Sequence, residues 1–320
     1  MTQVSERDSN NTSASPGDAV IYVRDLVKKF GSITAVDGLS FSVRGGETYG
    51  LLGPNGAGKT STMRMLSALS PISGGELRVA GLDVTRQGKE VRQVLGVVTQ
   101  HDGLDTDVTV KQNLELYGYL AGLSRKVASE RAAEVLEFFG LSDRGGSEVD
   151  ELSGGMKRRL AIARALMTRP RVIIMDEPTT GLDPQSRNRV WEELAVLKST
   201  GVTILMSTHY MEEASTLCDR VAIMDHGRML DEGAPDELVD RHAGSEVAQV
   251  RLANGTRDEV ISALAGIGYP YREVGALINV NGRNGERPDV SSLNGVRVSY
   301  RPSNLEDVFL AITGRELREE

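Results

Sequence analysis

Gly53-Pro54-Asn55-Gly56-Ala57-Gly58-Lys59-Thr60 fits the spacing G-x-x-x-x-G-K-[ST], and its flanks supply the setting that spacing requires. Upstream, Glu47 to Leu52 (E-T-Y-G-L-L) reads as a short buried strand. Downstream, Ser61-Thr62-Met63-Arg64-Met65-Leu66 opens a helical pattern. The glycines let the backbone curl tightly and aim successive N–H groups at one spot. The helix that follows adds the positive end of its dipole. In that geometry Lys59 reaches the β- and γ-phosphates and the Thr60 hydroxyl ligates Mg²⁺. The stretch therefore predicts a nucleoside triphosphate site.

Outward from this loop, residues 19 to about 241 alternate β-rich runs with amphipathic helices, the pattern of an α/β domain. Strands are read at Ala19–Val23, Leu39–Val43, Thr48–Leu52, Glu76–Val79, Val94–Val98, Arg171–Met175, Val202–Met206 and Arg220–Met224. Val172-Ile173-Ile174-Met175 and Val202-Thr203-Ile204-Leu205-Met206 are apolar without alternation, as in parallel strands covered on both faces. Helices are read at Lys59–Leu69, Val110–Ala121, Ser129–Phe139, Gly154–Met167, Pro184–Lys198 and Met211–Cys218. His242-Ala243-Gly244-Ser245 reads as a linker. Beyond it, residues 246–320 repeat a smaller β-α-β-β-α pattern, a small α+β domain for which a split-βαβ arrangement is one fit. Its last helix, Asn304–Thr313, has Asn304 as an N-cap.

At 320 residues the chain accommodates one large domain and a smaller one. Hydrophobic and charged contents of 39% and 26% fit a soluble globular protein. A net charge of −8 argues against broad nucleic-acid binding, which shows as a basic domain. Cys218 is the only cysteine, which excludes an intrachain disulfide and suits a reducing cytoplasm. No stretch approaches the roughly 20 apolar residues that cross a bilayer. Residues 1–18 are polar, lack a signal-peptide segment and read as disordered. Any membrane role then requires a partner chain.

Two further stretches carry chemistry. Val172 to Met175 ends in Asp176-Glu177, and in a doubly wound sheet ligands sit at the carboxyl ends of strands. Asp176 suits support of Mg²⁺ and Glu177 suits orienting a water, although alone such a pair serves equally to cap the next turn. Leu152-Ser153-Gly154-Gly155-Met156 offers a second anion-binding helix start, with Ser153 as N-cap and bare amides at Gly154 and Gly155. By itself it also describes an ordinary capped helix. Two phosphate-grade elements far apart in sequence suggest that they meet across a dimer.

Taken in order, these elements resemble the ATP-binding subunit of ABC transporters over residues 19 to about 241. Gly53–Thr60 matches the P-loop, Gln100 the glutamine loop, Leu152–Met156 the signature, and Asp176-Glu177 the Walker B pair. Gly181-Leu182-Asp183 matches the D-loop and His209 the switch histidine. The resemblance implies a P-loop NTPase fold of ABC type, with a helical signature subdomain at about 105–165, and it implies ATP and Mg²⁺ as cofactors. It assigns nucleotide contacts to Phe30 (stacking on adenine), Val36 (near the ribose), Gly53, Pro54, Asn55, Gly56, Ala57, Gly58, Lys59, Thr60 and Ser61. Gln100, Ser153, Gly154, Gly155, Met156, Asp176 and Asp183 complete that set. Thr60, Gln100 and Asp176 are implied around Mg²⁺, and Lys59, Glu177 and His209 in catalysis. Without it, Phe30 reads as a core or turn residue and His209 as a structural histidine. Met156 departs from the commonest signature, which has glutamine there.

The ending Asn304-Leu305-Glu306-Asp307-Val308-Phe309-Leu310 is similar to that of drug- and lipo-oligosaccharide-export ATPases, the daunorubicin-resistance and nodulation-factor branch. That branch implies an exporter of drugs, lipids or glycolipids, working as a homodimer on a separate integral membrane permease at the cytoplasmic face of the membrane, with no nucleic acid bound. Two other classes compete. A soluble ABC-type switch on nucleic acid or ribosomes would show a long coiled-coil insertion, paired ATPase domains or basic tracts, and none is present. A small-molecule kinase would leave Leu152–Met156 and His209 unexplained.

Overall fold

The computed structural model describes residues 19–252, 257–282, 285–293 and 296–314; the tail expected at 1–18 lies outside the described residues. The chain opens with the antiparallel pair Ala19–Phe30 (β1) and Ile33–Arg44 (β2). Gly74–Val79 (β4) and Leu82–Asp83 (β5) extend it to a sheet ordered β2-β1-β4-β5. β1 runs seven residues past the segment expected from sequence. Its register shifts between Val23 and Leu26, where Asp25 takes a φ of 48°, and pairing resumes from Leu26 to Phe30. Such a bulge breaks the alternation on which a sequence reading depends.

Thr48–Leu52 (β3), Leu95–Val98 (β6), Val172–Asp176 (β7), Thr203–Thr208 (β8), Arg220–Asp225 (β9) and Arg228–Gly233 (β10) form the second sheet, in the order β10-β9-β3-β8-β7-β6. All its pairs are parallel except the β9–β10 hairpin. Every residue of β3, β7 and β8 is buried, hence their unbroken apolar character. Successive residues feed opposite faces. Leu52, Ile173, Met175, Ile204 and Met206 join one core, and Leu51, Val172, Ile174 and Leu205 the other. Each such side chain contributes about 1.5–3 kcal/mol by leaving water. Leu52 pairs with Thr208 and Asp176 with Ser207. The carboxyl ends of β3, β8 and β7 are therefore level, and Gly53, His209 and Glu177 emerge side by side.

The helices of this unit are Lys59–Leu66 (α1), Gly88–Val94 (α2), Val110–Leu120 (α3), Arg125–Phe138 (α4), Gly154–Ala165 (α5), Pro184–Ser199 (α6), Met211–Leu217 (α7) and Pro235–His242 (α8). α1 stops short of Leu69 because Ser67 leaves the helical region and Ala68 takes a φ of 52°. α4 starts before Ser129 because the Ser124 hydroxyl caps it, accepting from Val127 N. α3, α4 and α5 pack together through Leu114, Ala132, Val135, Leu136 and Leu160. Residues 242–245 do not form an exposed linker: Ala243 is fully buried in the same core as Leu238.

Glu246–Arg251 (β11), Arg257–Ile267 (α9), Tyr271–Val274 (β12), Leu277–Asn281 (β13) and Arg297–Pro302 (β14) follow, with the sheet order β12-β13-β11-β14 and every pair antiparallel. β11 and β12 thus run the same way with β13 between them, a split βαβ unit. α9 covers the face of Ala248, Val250, Ile278 and Val280. β12 is four residues of mixed polarity and has no readable period. The last helix, Leu305–Thr313 (α10), is capped by Asn304, whose Oδ1 accepts from the amides of Glu306 and Asp307. Leu305, Val308 and Phe309 of α10 share a core with Ala214, Leu217, Leu238 and Ala243, so this helix returns to α7 and α8.

Candidate functional site

The loop between β3 and α1 needs glycine where it folds back on itself. Gly58 has a φ of +97°, and a Cβ there would fall 2.4 Å from Ala35 O; at Gly53 it would fall 2.3 Å from Met224 O. Ala57 O accepts from Gly227 N at 3.1 Å, fastening the loop to the β9–β10 turn. Gly58 is the N-cap of α1, and no side chain caps that helix. Its first amides remain available to an anion. Val36, fully buried, packs against Gly58 from beneath. It shapes the loop from below and presents no surface to a ribose.

Lys59 opens α1 and is 4% exposed. Its Nζ donates to Gly53 O (2.8 Å) and Pro54 O (3.1 Å) and lies 3.4 Å from Glu177 Oε1. The same oxygen is 3.3 Å from His209 Nδ1, and Thr180 Oγ1 donates to Glu177 Oε2 at 3.2 Å. Glu177 takes a φ of 48°, an arrangement costing a side-chain-bearing residue about 1–3 kcal/mol. Its amide is pinned by Ser207 O and Ser207 Oγ, at 3.1 and 3.0 Å. Ser207 Oγ donates in turn to Asp176 Oδ1 at 2.5 Å, and Thr60 Oγ1 donates to the same oxygen at 3.2 Å.

His209 holds the Glu177 carboxyl down to about 2 against the opposing effect of burial, with Lys59 and Thr180 assisting. Burial lowers the Lys59 ammonium, and Glu177 works against that shift. Lys59 and Glu177 form a buried ion pair beside the amide cradle. A carboxylate this acidic is a weak proton acceptor and a good hydrogen-bond acceptor, suited to orienting a water.

One chain thus brings together Gly53–Thr60, Asp176, Glu177 and His209. The oxygen pair of Thr60 and Asp176 suits Mg²⁺, which binds one or two side-chain oxygens together with substrate phosphates. Gln100 is exposed beyond β6 and makes no hydrogen bond to that pair among the described residues. Phe30 is 53% exposed at the end of β1, with Lys28 Nζ 4.7 Å from its ring centroid, open to stacking. Ser153 caps α5 by accepting from Met156 N at 3.3 Å, and the Met156 side chain packs on the core. Gly155 lies so close to α6 that a Cβ would sit 2.5 Å from Ser186 Oγ. Asp183 caps α6, accepting from Ser186 N at 3.0 Å.

Sequence reasoning missed Ser207, Thr180, Arg158 and Glu213. Glu213 shares the buried face of α7 with Ala214 and Leu217, a helical spacing that marks it as interior. Arg158 lies in a basic triplet whose neighbours Leu160 and Ile162 are buried, and only one or two of the three can be solvated.

The family model described as ABC transporter matches residues 36–180. A curated relative from Burkholderia lata, named Nod factor export ATP-binding protein I, is 44% identical over 306 residues, covering 94% of this chain and 99% of the relative. A protein of the same name from Ralstonia nicotianae is 41% identical, covering 94% and 95%. Among solved structures, cbiO1 from Clostridium perfringens, part of the ABC transporter complex cbiONQ, is 28% identical with a TM-score of 0.64. It covers 69% of this chain and 90% of its own. A dimeric ATP-binding cassette in a post-hydrolysis state, bound to ADP and Pi, is 26% identical with a TM-score of 0.61, covering 67% and 98%.

Proposed function

Because this chain belongs to the ATP-binding proteins of ABC transporters, we propose that two copies of it close head to tail on ATP and drive export through a separate membrane permease. As a member of that family it binds ATP and hydrolyses it in support of transport. The export direction rests on the name of the curated relatives and on the ending Leu305–Leu310; the cargo class we propose is drugs, lipids or glycolipids. No helix among the described residues is long and apolar enough to cross a membrane. The permease would therefore supply the path, with this chain peripheral at the cytoplasmic face.

In this reading each ATP lies between Gly53–Thr60 of one copy and Ser153–Gly155 of the other. Phosphoryl transfer to water depends mainly on positioning and on stabilising the charge spread over the phosphoryl oxygens. The cradle amides and Lys59 hold the β- and γ-phosphates, and His209 contacts the γ-phosphate. Glu177 accepts a hydrogen bond from the attacking water and aligns it. Mg²⁺, held by Thr60 with Asp176 and Gln100 around it, would neutralise charge on the phosphates. Phe30 stacks on the base, and Asp183 sets the start of α6 beside the signature turn. The γ-phosphate is the group that both copies grip, so ATP favours the closed pair and its hydrolysis releases it.

The observation that carries this reading is the convergence of Lys59 and His209 on one oxygen of Glu177, at 3.4 and 3.3 Å, beside an uncapped helix start. Glu177→Gln keeps the shape and removes the charge. Turnover should fall about 10²–10⁴-fold, while ATP converts the protein to a dimer in light scattering. A Glu177→Gln protein that stays monomeric with ATP and turns over at the parent rate would refute the assignment.

A further inference from the structure

Lys157, Arg158 and Arg159 occupy successive positions on α5, and about 100° of rotation separates each from the next. Lys157 reaches Asp150 at the surface, at 3.0 Å. Arg159 donates to Phe139 O at 2.6 Å. Arg158 turns inward and is 4% exposed. A guanidinium has five N–H donors, and Arg158 finds five acceptors. Nε donates to Pro178 O at 2.5 Å; Nη1 to Thr99 O at 2.7 Å and Asp102 Oδ1 at 3.1 Å; Nη2 to Asp176 O at 3.2 Å and Glu177 O at 3.1 Å.

These acceptors belong to two segments that no other side chain among the described residues joins in this way. Asp176, Glu177 and Pro178 are the turn that carries the carboxylate of the site. Thr99 and Asp102 flank Gln100. Arg164, further along α5, donates to Asp102 O and Gly103 O, reinforcing the hold on the second segment. The left-handed backbone of Glu177 persists only if its surroundings over-determine it. Ser207 fixes its amide, and Arg158 fixes its carbonyl.

We infer that Arg158 is a positioning residue for ATP hydrolysis, holding the Asp176–Pro178 turn so that the Glu177 carboxylate stays aligned with the phosphate cradle, and binding that turn to residues 99–102 so that the two segments move together. Arg158 acts through Glu177 and touches no substrate. The inference rests on the role proposed for Glu177, and its test is separable from the test of that role.

The experiment measures steady-state ATPase and equilibrium binding of a fluorescent ATP analogue for the full chain and for R158Q, R158K, D102N, E177Q, E177Q/R158Q and E177Q/D102N. A displacement of about 1 Å at a reacting group costs about 10²-fold. R158Q should therefore lose about 10²-fold in kcat and keep nucleotide affinity within about 3-fold. Lysine carries the charge but only three donors, so R158K should recover less than about a tenth of the loss. D102N removes the charge from the one charged acceptor of the five and should lower kcat about 3–10-fold. Residues acting as a unit are non-additive, so both double variants should turn over within about 3-fold of E177Q alone. Multiplied losses in the double variants would assign Arg158 a purely structural role and overturn the inference, as would R158Q with the parent kcat. If R158Q does not fold, D102N and its pairing with E177Q decide: a parent-like D102N, or losses that multiply, overturns the link. A parent chain without ATPase activity would overturn the reading of the site itself.

Discussion

Replacing Glu213 tests whether the turn that carries Glu177 is supported from behind. Glu213 is fully buried on α7, four residues after His209. Its Oε1 accepts from Thr179 Oγ1 at 2.7 Å and from Trp191 Nε1 at 3.0 Å. One oxygen therefore joins the segment after Glu177, the middle of α6 and the helix after His209. Glu213→Ala strands two buried donors, each costing about 1–3 kcal/mol. A loss of about 3–5 kcal/mol is expected, a large share of the roughly 5–15 kcal/mol that holds a domain together. Glu213→Gln keeps an acceptor in place and should cost far less.

The two variants also differ in pH dependence. Burial raises the Glu213 carboxyl above the ordinary range, outweighing the bonds from Thr208, Thr179 and Trp191. With the folded value above the unfolded one, the stabilisation from proton binding is complete below the unfolded value. It is lost as pH rises through the folded value. Glutamine has no proton to lose, so the stability of Glu213→Gln relative to the parent should improve as pH rises above the ordinary carboxylate range. Trp191 is the only tryptophan, and its fluorescence reports the bond in question during urea unfolding. A Glu213→Ala penalty below about 1 kcal/mol, or a Glu213→Gln difference that does not change with pH, would refute the reasoning.

Gly58→Ala forces a φ of +97° on alanine and drives its Cβ into Ala35 O, so equilibrium binding should show nucleotide retention lost; parent affinity would contradict the cradle. Glu177, held down to about 2, stabilises the fold above its unfolded value near 4.3, an effect lost only as pH falls toward about 2. Carbon-13 NMR of labelled carboxyls should find it ionised throughout the physiological range, and titration above about pH 4 would overturn the described contacts. Cys218 is buried and its thiol raised by that burial, so thiol reagents should label it only after unfolding. Phe309→Ala should cost about 3–5 kcal/mol and lower the unfolding midpoint seen at Trp191; a loss confined to the small sheet would contradict the docking of α10.

What the sequence disclosed about the site depends on neighbours within a few positions. The Gly53–Thr60 turn, the Ser153 and Asn304 caps and the acids ending β7 are each complete in a short window. The partners that hold them in place come from far along the chain. Asp176 meets Ser207 only because β7 and β8 are parallel and in register. Arg158 meets the Glu177 turn only because α5 crosses the carboxyl end of that sheet. A basic triplet between buried apolar positions announces that at least one of its members is buried, and nothing in it names the acceptors.

α10 shows the same limit on a larger scale. Leu305, Val308, Phe309 and Ile312 recur at helical spacing and mark a buried face, which is why residues 246–320 read as a self-contained unit. Periodicity identifies a face and leaves its partner open, since any apolar surface satisfies it equally. The partner is selected by the helix start. Asp307, 1% exposed, accepts from Asn304 N at 3.0 Å and takes both Arg301 Nη groups at 2.7 Å, which fixes the angle at which α10 leaves β14. That angle lays the apolar face on Ala214, Leu217 and Leu238 of α7 and α8, away from the sheet that α9 covers. The small sheet is thereby fastened to α7, the helix that follows His209, through the apolar face of α10.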